Sequence, residues 1–178
     1  SIASDNSGIT LGNEFNFNNG EGNIKNSSIT YLGEEGNSSY YAVVCAQDNG
    51  AGSVKILKHD GQNNTTLGTS DSTFTTTNNA AAEGHKIAVV VISSTKFVIL
   101  WNLKYSIVCT RSGTDVTWGE IFDLEGNENG YAYHGAYDPI MNRVVFTTCQ
   151  GVVKVCTISG STISLLFESR FYSKDSIV

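Results

Sequence analysis

The feature that most constrains the fold is a short segment that recurs four times along the chain. Each copy joins β-branched or hydroxyl residues to a large apolar residue, and three of the four copies end in glycine. The copies are Ile9-Thr10-Leu11-Gly12, Thr65-Thr66-Leu67-Gly68, Val116-Thr117-Trp118-Gly119 and Ile163-Ser164-Leu165-Leu166, and they follow one another at spacings of 56, 51 and 47 residues. A period of about fifty residues is typical of folds in which one small unit is repeated and stacked.

Three further segments precede the last three copies, and we label the resulting strands a, b, c and d in chain order. Strand a is predicted at Ser28–Leu32, Lys86–Ser93 and Tyr131–Asp138; strand b at Tyr40–Ala46, Lys96–Asn102 and Asn142–Thr148; strand c at Ser53–Lys58, Ser106–Arg111 and Val152–Thr157. The run from Phe97 to Trp101 is apolar throughout, which indicates burial on both faces of a sheet. The sequence therefore predicts four-stranded antiparallel sheets with b paired to c, and no helix.

The expected fold class is all-β, with the repeated sheets forming β-propeller blades and a two-sheet β-sandwich as the alternative. The chain is expected to be a single repeat domain over 1–178, with a partial repeat at 1–23 and repeats at approximately 24–79, 80–130 and 131–175. Aligned on the last repeat, the chain opens inside a strand c and closes as a new strand a begins. We therefore expect 1–15 and 170–178 to pair with strands outside the chain or to be poorly ordered, and the chain expressed alone to aggregate or polymerise.

The last repeat resembles a known family. From Ala136 to Phe146 it has a Tyr-Asp pair, three further residues and an Asn before an apolar strand, and a second strand pair follows from Val155 to Leu165. This sequence pattern is similar to a β-propeller-type repeat of phage tail-fibre and large extracellular surface or adhesin-like proteins. The first two repeats of the chain match the pattern only loosely. The resemblance implies a propeller in a fibre, filament or virion surface protein, located outside the cell or on the virion, and it brings no catalytic residues.

Charge excludes one class of partner. The net charge is −6 and the 11 Lys and Arg residues are spread singly, whereas a nucleic-acid-binding face needs clustered positive charge. The longest apolar runs are also far shorter than the roughly twenty residues needed to cross a bilayer. We expect no nucleic-acid partner, no membrane insertion and no bound cofactor.

Candidate catalytic and metal-binding residues do not converge in the predicted repeats. Arg111, Arg143 and Arg170 fall on strands c, b and d, whereas a sialidase-type site needs three arginines at one place. The loop at 125–130 resembles the start of a calcium loop, but Ala136 stands where the closing Glu belongs. The three histidines lie in different repeats. No catalytic residue and no metal site are predicted.

The best candidate binding patch consists of Tyr131, Tyr133 and Tyr137, which period-two alternation places on one face of strand a. Stacked tyrosines can bind a sugar ring, but aromatic side chains more often fill the space between adjacent sheets, and we favour the packing role. Possible glycosylation sites are Asn26, Asn37, Asn63 and Asn64, each in an Asn-X-Ser/Thr sequon.

The cysteines are expected to be buried free thiols. Cys109 and Cys156 share a Val-Cys-Thr context, so we place them at equivalent positions of adjacent sheets, which are too far apart for a disulfide. A two-residue turn at Gln150-Gly151 would set Cys149 opposite Val152, and Cys156 opposite Val145.

These patterns favour a non-enzymatic structural or adhesive module that binds a glycan or neighbouring subunits. Its expected partners are other copies of the chain, or the rest of a longer chain, joined through sheet edges. The alternative function is a fragment of a glycan-processing propeller enzyme whose catalytic residues lie outside this chain.

Overall fold

The computed structural model of the chain describes residues 24–47, 51–62, 64–68, 72–75, 87–101, 105–124, 132–148 and 151–171. All regular structure in these ranges is β-strand, so the all-β class is confirmed. Arg170 ends the last strand and pairs with Val152 inside the chain, so the expectation for 170–178 is wrong at this residue. Residues 1–15 and 172–178 lie outside the described ranges.

The strands form three antiparallel sheets in chain order. The first sheet contains β1 (Ile24–Glu35), β2 (Ser38–Gln47), β3 (Ala51–His59), β4 (Thr65–Leu67) and β5 (Ser72–Thr75). The second contains β6 (Ala88–Ser93), β7 (Lys96–Trp101), β8 (Tyr105–Ser112), β9 (Asp115–Trp118) and β10 (Phe122–Asp123). The third contains β11 (Ala132–Asp138), β12 (Arg143–Thr148), β13 (Val152–Ser159) and β14 (Thr162–Arg170).

Each sheet is a meander in the order a, b, c, d. The predicted pairing of b with c is confirmed in all three, as β2 with β3, β7 with β8 and β12 with β13. Strand d is a single strand only in the third sheet. In the first two sheets it is divided into two short strands, β4 with β5 and β9 with β10, which pair with successive parts of the same strand c.

The predicted register of the third b–c hairpin is wrong by one residue. Cys156 pairs with Val144, and Val145 pairs with Val155. The reason is the length of the turn, since three residues separate β12 from β13 where two were predicted. Gly151 at the end of this connection has a φ of 71°, the left-handed conformation that three-residue hairpin loops require at their last position. Cys149 lies outside the described residues.

The sheets stack face to face, with the second sheet between the other two. One buried apolar cluster joins the first and second sheets, and another joins the second and third. Along β7, Phe97 and Ile99 belong to the first cluster, whereas Val98 and Leu100 belong to the second. This is the burial on both faces that the apolar run predicted. The described strands therefore form three stacked sheets, where a sandwich has two, and they close no ring.

The repeat is visible in the cross-strand pairs. We call the side of the second and third sheets that is turned toward the preceding sheet the rear face, and the opposite side the front face. The rear face of the first sheet is the side that corresponds to it by strand register. The same four-residue row crosses the rear face of each sheet: Tyr31–Tyr41–Leu57–Leu67, Val91–Phe97–Cys109–Trp118 and Tyr137–Val144–Cys156–Leu165. Cys109 and Cys156 thus occupy equivalent positions, buried and free, as predicted. Cys45 is also buried and free.

The recurring glycine after strand d has a structural reason. A Cβ on Gly68 would lie 2.5 Å from the carbonyl oxygen of Thr114, and one on Gly119 would overlap the carbonyl oxygen of Ser161. Thr114 and Ser161 both belong to the c–d turn of the next sheet. The glycine therefore allows the turn of each following sheet to approach the strand closely. Leu166 takes this position in the third sheet, where its side chain is exposed.

Replacement of Gly119 by alanine is expected to lower the free energy of unfolding by about 1–3 kcal/mol, the usual cost of overpacking. The added methyl group would force Ser161 and its turn away from the second sheet. Urea unfolding measures the effect, and Glu120→Ala at the exposed neighbouring position is the control, expected within about 0.5 kcal/mol of the wild type. Equal stabilities of the two variants would contradict the close contact.

Candidate functional site

The predicted tyrosine patch is only partly described. Tyr137 is half-buried on the rear face of the third sheet, where it packs against the cluster shared with the second sheet. Tyr133 lies within β11, and Tyr131 lies outside the described residues. The register shifts between Ala132 and His134, so Tyr133 is the extra residue of a β-bulge. A bulge interrupts the period-two alternation on which the shared face was predicted. The patch as a sugar platform therefore stays a prediction.

A turn held by side-chain hydrogen bonds follows Tyr137. The Oδ1 atom of Asp138 accepts hydrogen bonds from the backbone amides of Ile140 at 2.9 Å and Met141 at 3.3 Å. Asn142 has a left-handed φ of 52°, and its Nδ2 atom donates to the carbonyl oxygen of Ile158 at 3.1 Å. These bonds fix the backbone while the side chain of Ile140 stays 89% exposed. The turn presents an apolar side chain on a rigid support, a suitable arrangement for contact with another surface.

The Tyr137 hydroxyl supports the same turn by donating to Oδ1 of Asn142 at 3.0 Å. The ring therefore packs between sheets while its polar end orders an exposed turn. This arrangement matches the packing role that the sequence favoured for the tyrosine.

One polar contact between two sheets is centred on Arg111, whose side chain is buried. Its Nε atom donates to the carbonyl oxygen of Ser94 at 2.9 Å, and Nη1 donates to that of Gly113 at 2.9 Å. Nη2 lies 3.2 Å from Oε2 of Glu35 in the first sheet. The guanidinium also lies over the ring of Tyr40, with Cζ 3.6 Å from the ring centroid. Arg111 thus joins two turns of its own sheet to the sheet before it.

Sequence reasoning placed Arg111 on strand c and missed this role. The available signal was a single cation close after the apolar residues Ile107, Val108 and Cys109, because a buried cation needs partners. Arg143 lies on β12 and Arg170 on β14, so the three arginines occupy strands c, b and d as predicted. With its donors directed at backbone carbonyls and Glu35, Arg111 serves as a clamp between sheets.

A second buried cation belongs to the third sheet. Lys154 donates from Nζ to the carbonyl oxygen of Leu124, in the segment that follows the second sheet, and lies 3.2 Å from Oε2 of Glu168. The buried side chains of Arg111 and Lys154 therefore tie successive sheets together along the chain. Both lie on rear faces, next to residues that carry the apolar row.

The remaining titratable groups provide no assembled chemical site within the described ranges. No group of three or more His, Cys, Asp or Glu side chains is placed there to hold a metal ion. His59 is hydrogen-bonded to the hydroxyl of Thr65 at 3.3 Å, and His134 is exposed. Burial raises the pKa of Cys45 and Cys156 to about 11, and it raises the pKa of Cys109 as well, so these thiols stay protonated and unreactive near neutral pH. The 125–130 loop lies outside the described residues.

Two of the predicted sequons are exposed. Asn37 lies in the turn between β1 and β2, and Asn64 lies at the c–d turn of the first sheet. The Nδ2 atom of Asn64 donates to Oδ2 of Asp60 at 2.9 Å, and this bond and the amide of Gln62 lower the pKa of the Asp60 carboxyl. Asn26 is half-buried in β1. Asn63 is outside the described residues.

In the described part of the chain there is no helix with the length and apolar character to cross a membrane. No protein-family model matches the sequence. No curated protein matches it either. The family resemblance of the last repeat therefore stays a prediction.

Replacement of Arg111 by leucine is expected to lower the free energy of unfolding by about 2–4 kcal/mol, because two backbone carbonyl groups lose the charged donor that a buried side chain gives them. Glu35→Gln is the matched control. The Glu35 carboxylate is mostly exposed, so removal of its charge should cost less than about 1 kcal/mol. Urea unfolding of both variants tests this difference, and a small effect of Arg111→Leu would contradict the clamp.

Tyr137 can be tested with two substitutions. Tyr137→Ala should destabilise the protein by about 1–3 kcal/mol, since a half-buried aromatic ring leaves the space between two sheets. Tyr137→Phe removes only the hydrogen bond to Asn142 and should cost no more than about 1 kcal/mol. Thermal unfolding measures both values. An alanine variant with wild-type stability would favour the sugar-platform interpretation.

Proposed function

We propose that the chain is a non-enzymatic structural or adhesive propeller module of an extracellular fibre, filament or virion surface protein, which binds a glycan or neighbouring subunits. The observation that supports this proposal is the repetition of one rear-face row in all three sheets. The second and third sheets each pack on the sheet before them through the same positions, and repeated packing of this kind extends a structure by adding units.

The contacts between sheets suit a load-bearing role. Apolar rows fill the space between the sheets, and buried cations on β8 and β13 connect the second sheet to the first and the third sheet to the second. Glycines after strand d bring the turns of neighbouring sheets close together. A rigid stack of this kind holds its surface turns in fixed positions. The turn that carries Ile140 is the best-supported candidate for contact with a glycan or a subunit, because its backbone is fixed by side-chain hydrogen bonds.

The proposed location rests on the family resemblance and agrees with the composition. Charged residues make up only 16% of the chain, and Asn, Ser and Thr provide much of its polarity. This composition is common in secreted adhesins and phage fibres.

The proposal is tested on the intact particle or cell that carries the chain. Antibodies raised against the purified chain should label its outer surface without permeabilisation, as seen by immunogold electron microscopy. Labelling that appears only after permeabilisation would contradict the surface location. The purified chain should also release no sugar from fluorogenic glycosides. Such hydrolysis by the chain itself would contradict the non-enzymatic role and would favour the glycan-processing alternative.

A further inference from the structure

The rear face of the first sheet is covered at one corner. There Cys45 is 2% exposed, Ser53 is 7% exposed and Lys55 is 8% exposed. Cys45 pairs directly with Ser53 across β2 and β3, and Lys55 follows on the same face of β3. Along β1 the same face is far more exposed, as Ile29 and Tyr31 show. Another part of the chain therefore lies over β2 and β3 on this side.

The second sheet does not account for this burial, because it packs on the opposite face. Val44, Val54 and Ile56 of the first sheet belong to the apolar cluster shared with the second sheet. Cys45 follows Val44 on β2 and points to the other side, since successive side chains of a strand alternate between faces. It belongs to neither apolar cluster of the described residues. The cover of the rear face therefore has a separate origin.

The third sheet shows what covers the equivalent place. Lys55 and Lys154 occupy matching positions of strand c, each two residues before a member of the common rear-face row, and both are buried. The Lys154 ammonium donates to the carbonyl oxygen of Leu124. Leu124 lies in the segment that precedes strand a of the third sheet, and its side chain is buried between the second and third sheets. In the third sheet, the segment before strand a thus covers the buried lysine.

The sequence before the first sheet contains a segment of the same kind. Two nine-residue segments share threonine, glycine and phenylalanine at the same places, and both end in a large apolar residue. They read ITLGNEFNF at 9–17 and VTWGEIFDL at 116–124. Phe17, which aligns with Leu124, lies 14 residues before Tyr31, and Leu124 lies 13 residues before Tyr137. Because Tyr31 and Tyr137 are equivalent positions of strand a, the two segments precede their sheets at nearly the same distance.

From these observations we infer that residues 9–17 of the same chain cover the rear face of the first sheet, with Phe17 in the role of Leu124. The Phe17 carbonyl accepts a hydrogen bond from the Lys55 ammonium, and the ring packs on the face beside Cys45. A buried lysine needs partners for its charge, and a backbone carbonyl is the partner that Lys154 already uses. This contact is independent of the proposed fibre or surface role, since it lies within one chain.

The partial repeat at the start of the chain thereby gains a specific task. It gives the first sheet packing on both faces, as the second sheet has, so that the lysine of strand c and the Cys45 thiol are kept from water. Nearest-neighbour packing of this kind stabilises repeat proteins, whose terminal units need a cover.

Photochemical cross-linking of the full chain tests the contact directly. Phe17 is replaced by the photoreactive residue p-benzoylphenylalanine, which keeps an aromatic ring at this position. Irradiation should join it to the peptides that contain Cys45 or Lys55, in a product with the mass of one chain. The matched control carries the same residue in place of Glu14, which aligns with the exposed Ile121, and should give little of this product.

The other cross-linking outcomes contradict the inference. A product that joins position 17 to β2 or β3 only in a two-chain species would show that a second copy supplies the segment. Cross-links from position 17 to other strands alone, or equal yields from positions 14 and 17, would show that Phe17 does not lie on this face.

The reactivity of Cys45 gives an independent measurement. Phe17→Ala should raise the alkylation rate of Cys45 about tenfold relative to that of Cys109, because local protection is lost. Cys109 is buried between the first and second sheets, so its rate reports opening of the rest of the fold. Glu14→Ala should keep the wild-type ratio. Iodoacetamide labelling with peptide mass spectrometry measures both thiols in one sample.

An unchanged ratio of the two rates in Phe17→Ala would overturn the inference. If circular dichroism shows that this variant does not fold, the cross-linking result decides, because that variant retains an aromatic ring at position 17.

Discussion

The structure depends on the packing of each sheet against the next, because no sheet has a core of its own. Alternate residues of β7 enter different clusters, so Phe97 and Ile99 pack toward the first sheet while Val98 and Leu100 pack toward the third. Full burial of such side chains stabilises a fold by about 1.5–3 kcal/mol each. Removal of either outer sheet would expose half of this strand. The second sheet is therefore stable only with both neighbours, as in other repeat proteins.

Apolar faces alone would allow the sheets to slide, and the buried cations restrict this movement. Arg111 is bound to Ser94 and Gly113 in its own sheet and to Glu35 in the first, so its bonds exist in only one relative position of the two sheets. A buried charge is costly unless it is fully paired, and a displacement of the sheets would leave it unpaired. We interpret Arg111 as a device for specificity of packing more than for its strength.

The elements that local sequence determines were predictable. Apolar runs such as Phe97 to Trp101 and the repeated Val-Cys-Thr context identified strands b and c and the equivalence of Cys109 with Cys156. The features that depend on one extra residue were not predictable. The three-residue connection before Val152 shifted the hairpin register, and the bulge at Tyr133 interrupted the alternation used for the tyrosine patch. The partners of Arg111 come from another sheet, and one sequence does not reveal which turn lies opposite.

The path of strand d shows most clearly how a neighbouring sheet shapes a local element. In the first two sheets, Gly68 and Gly119 donate their amides to strand c, a turn of the next sheet packs against them, and strand d stops there and resumes several residues later. In the third sheet, Leu166 takes the same place and is accommodated as a bulge, and β14 continues to Arg170. The motif residues that precede this position are alike in the three sheets. The different path of strand d therefore follows from what packs on the strand. A recurring glycine in such a chain therefore indicates contact with a following sheet, which the spacing of the motif alone does not reveal.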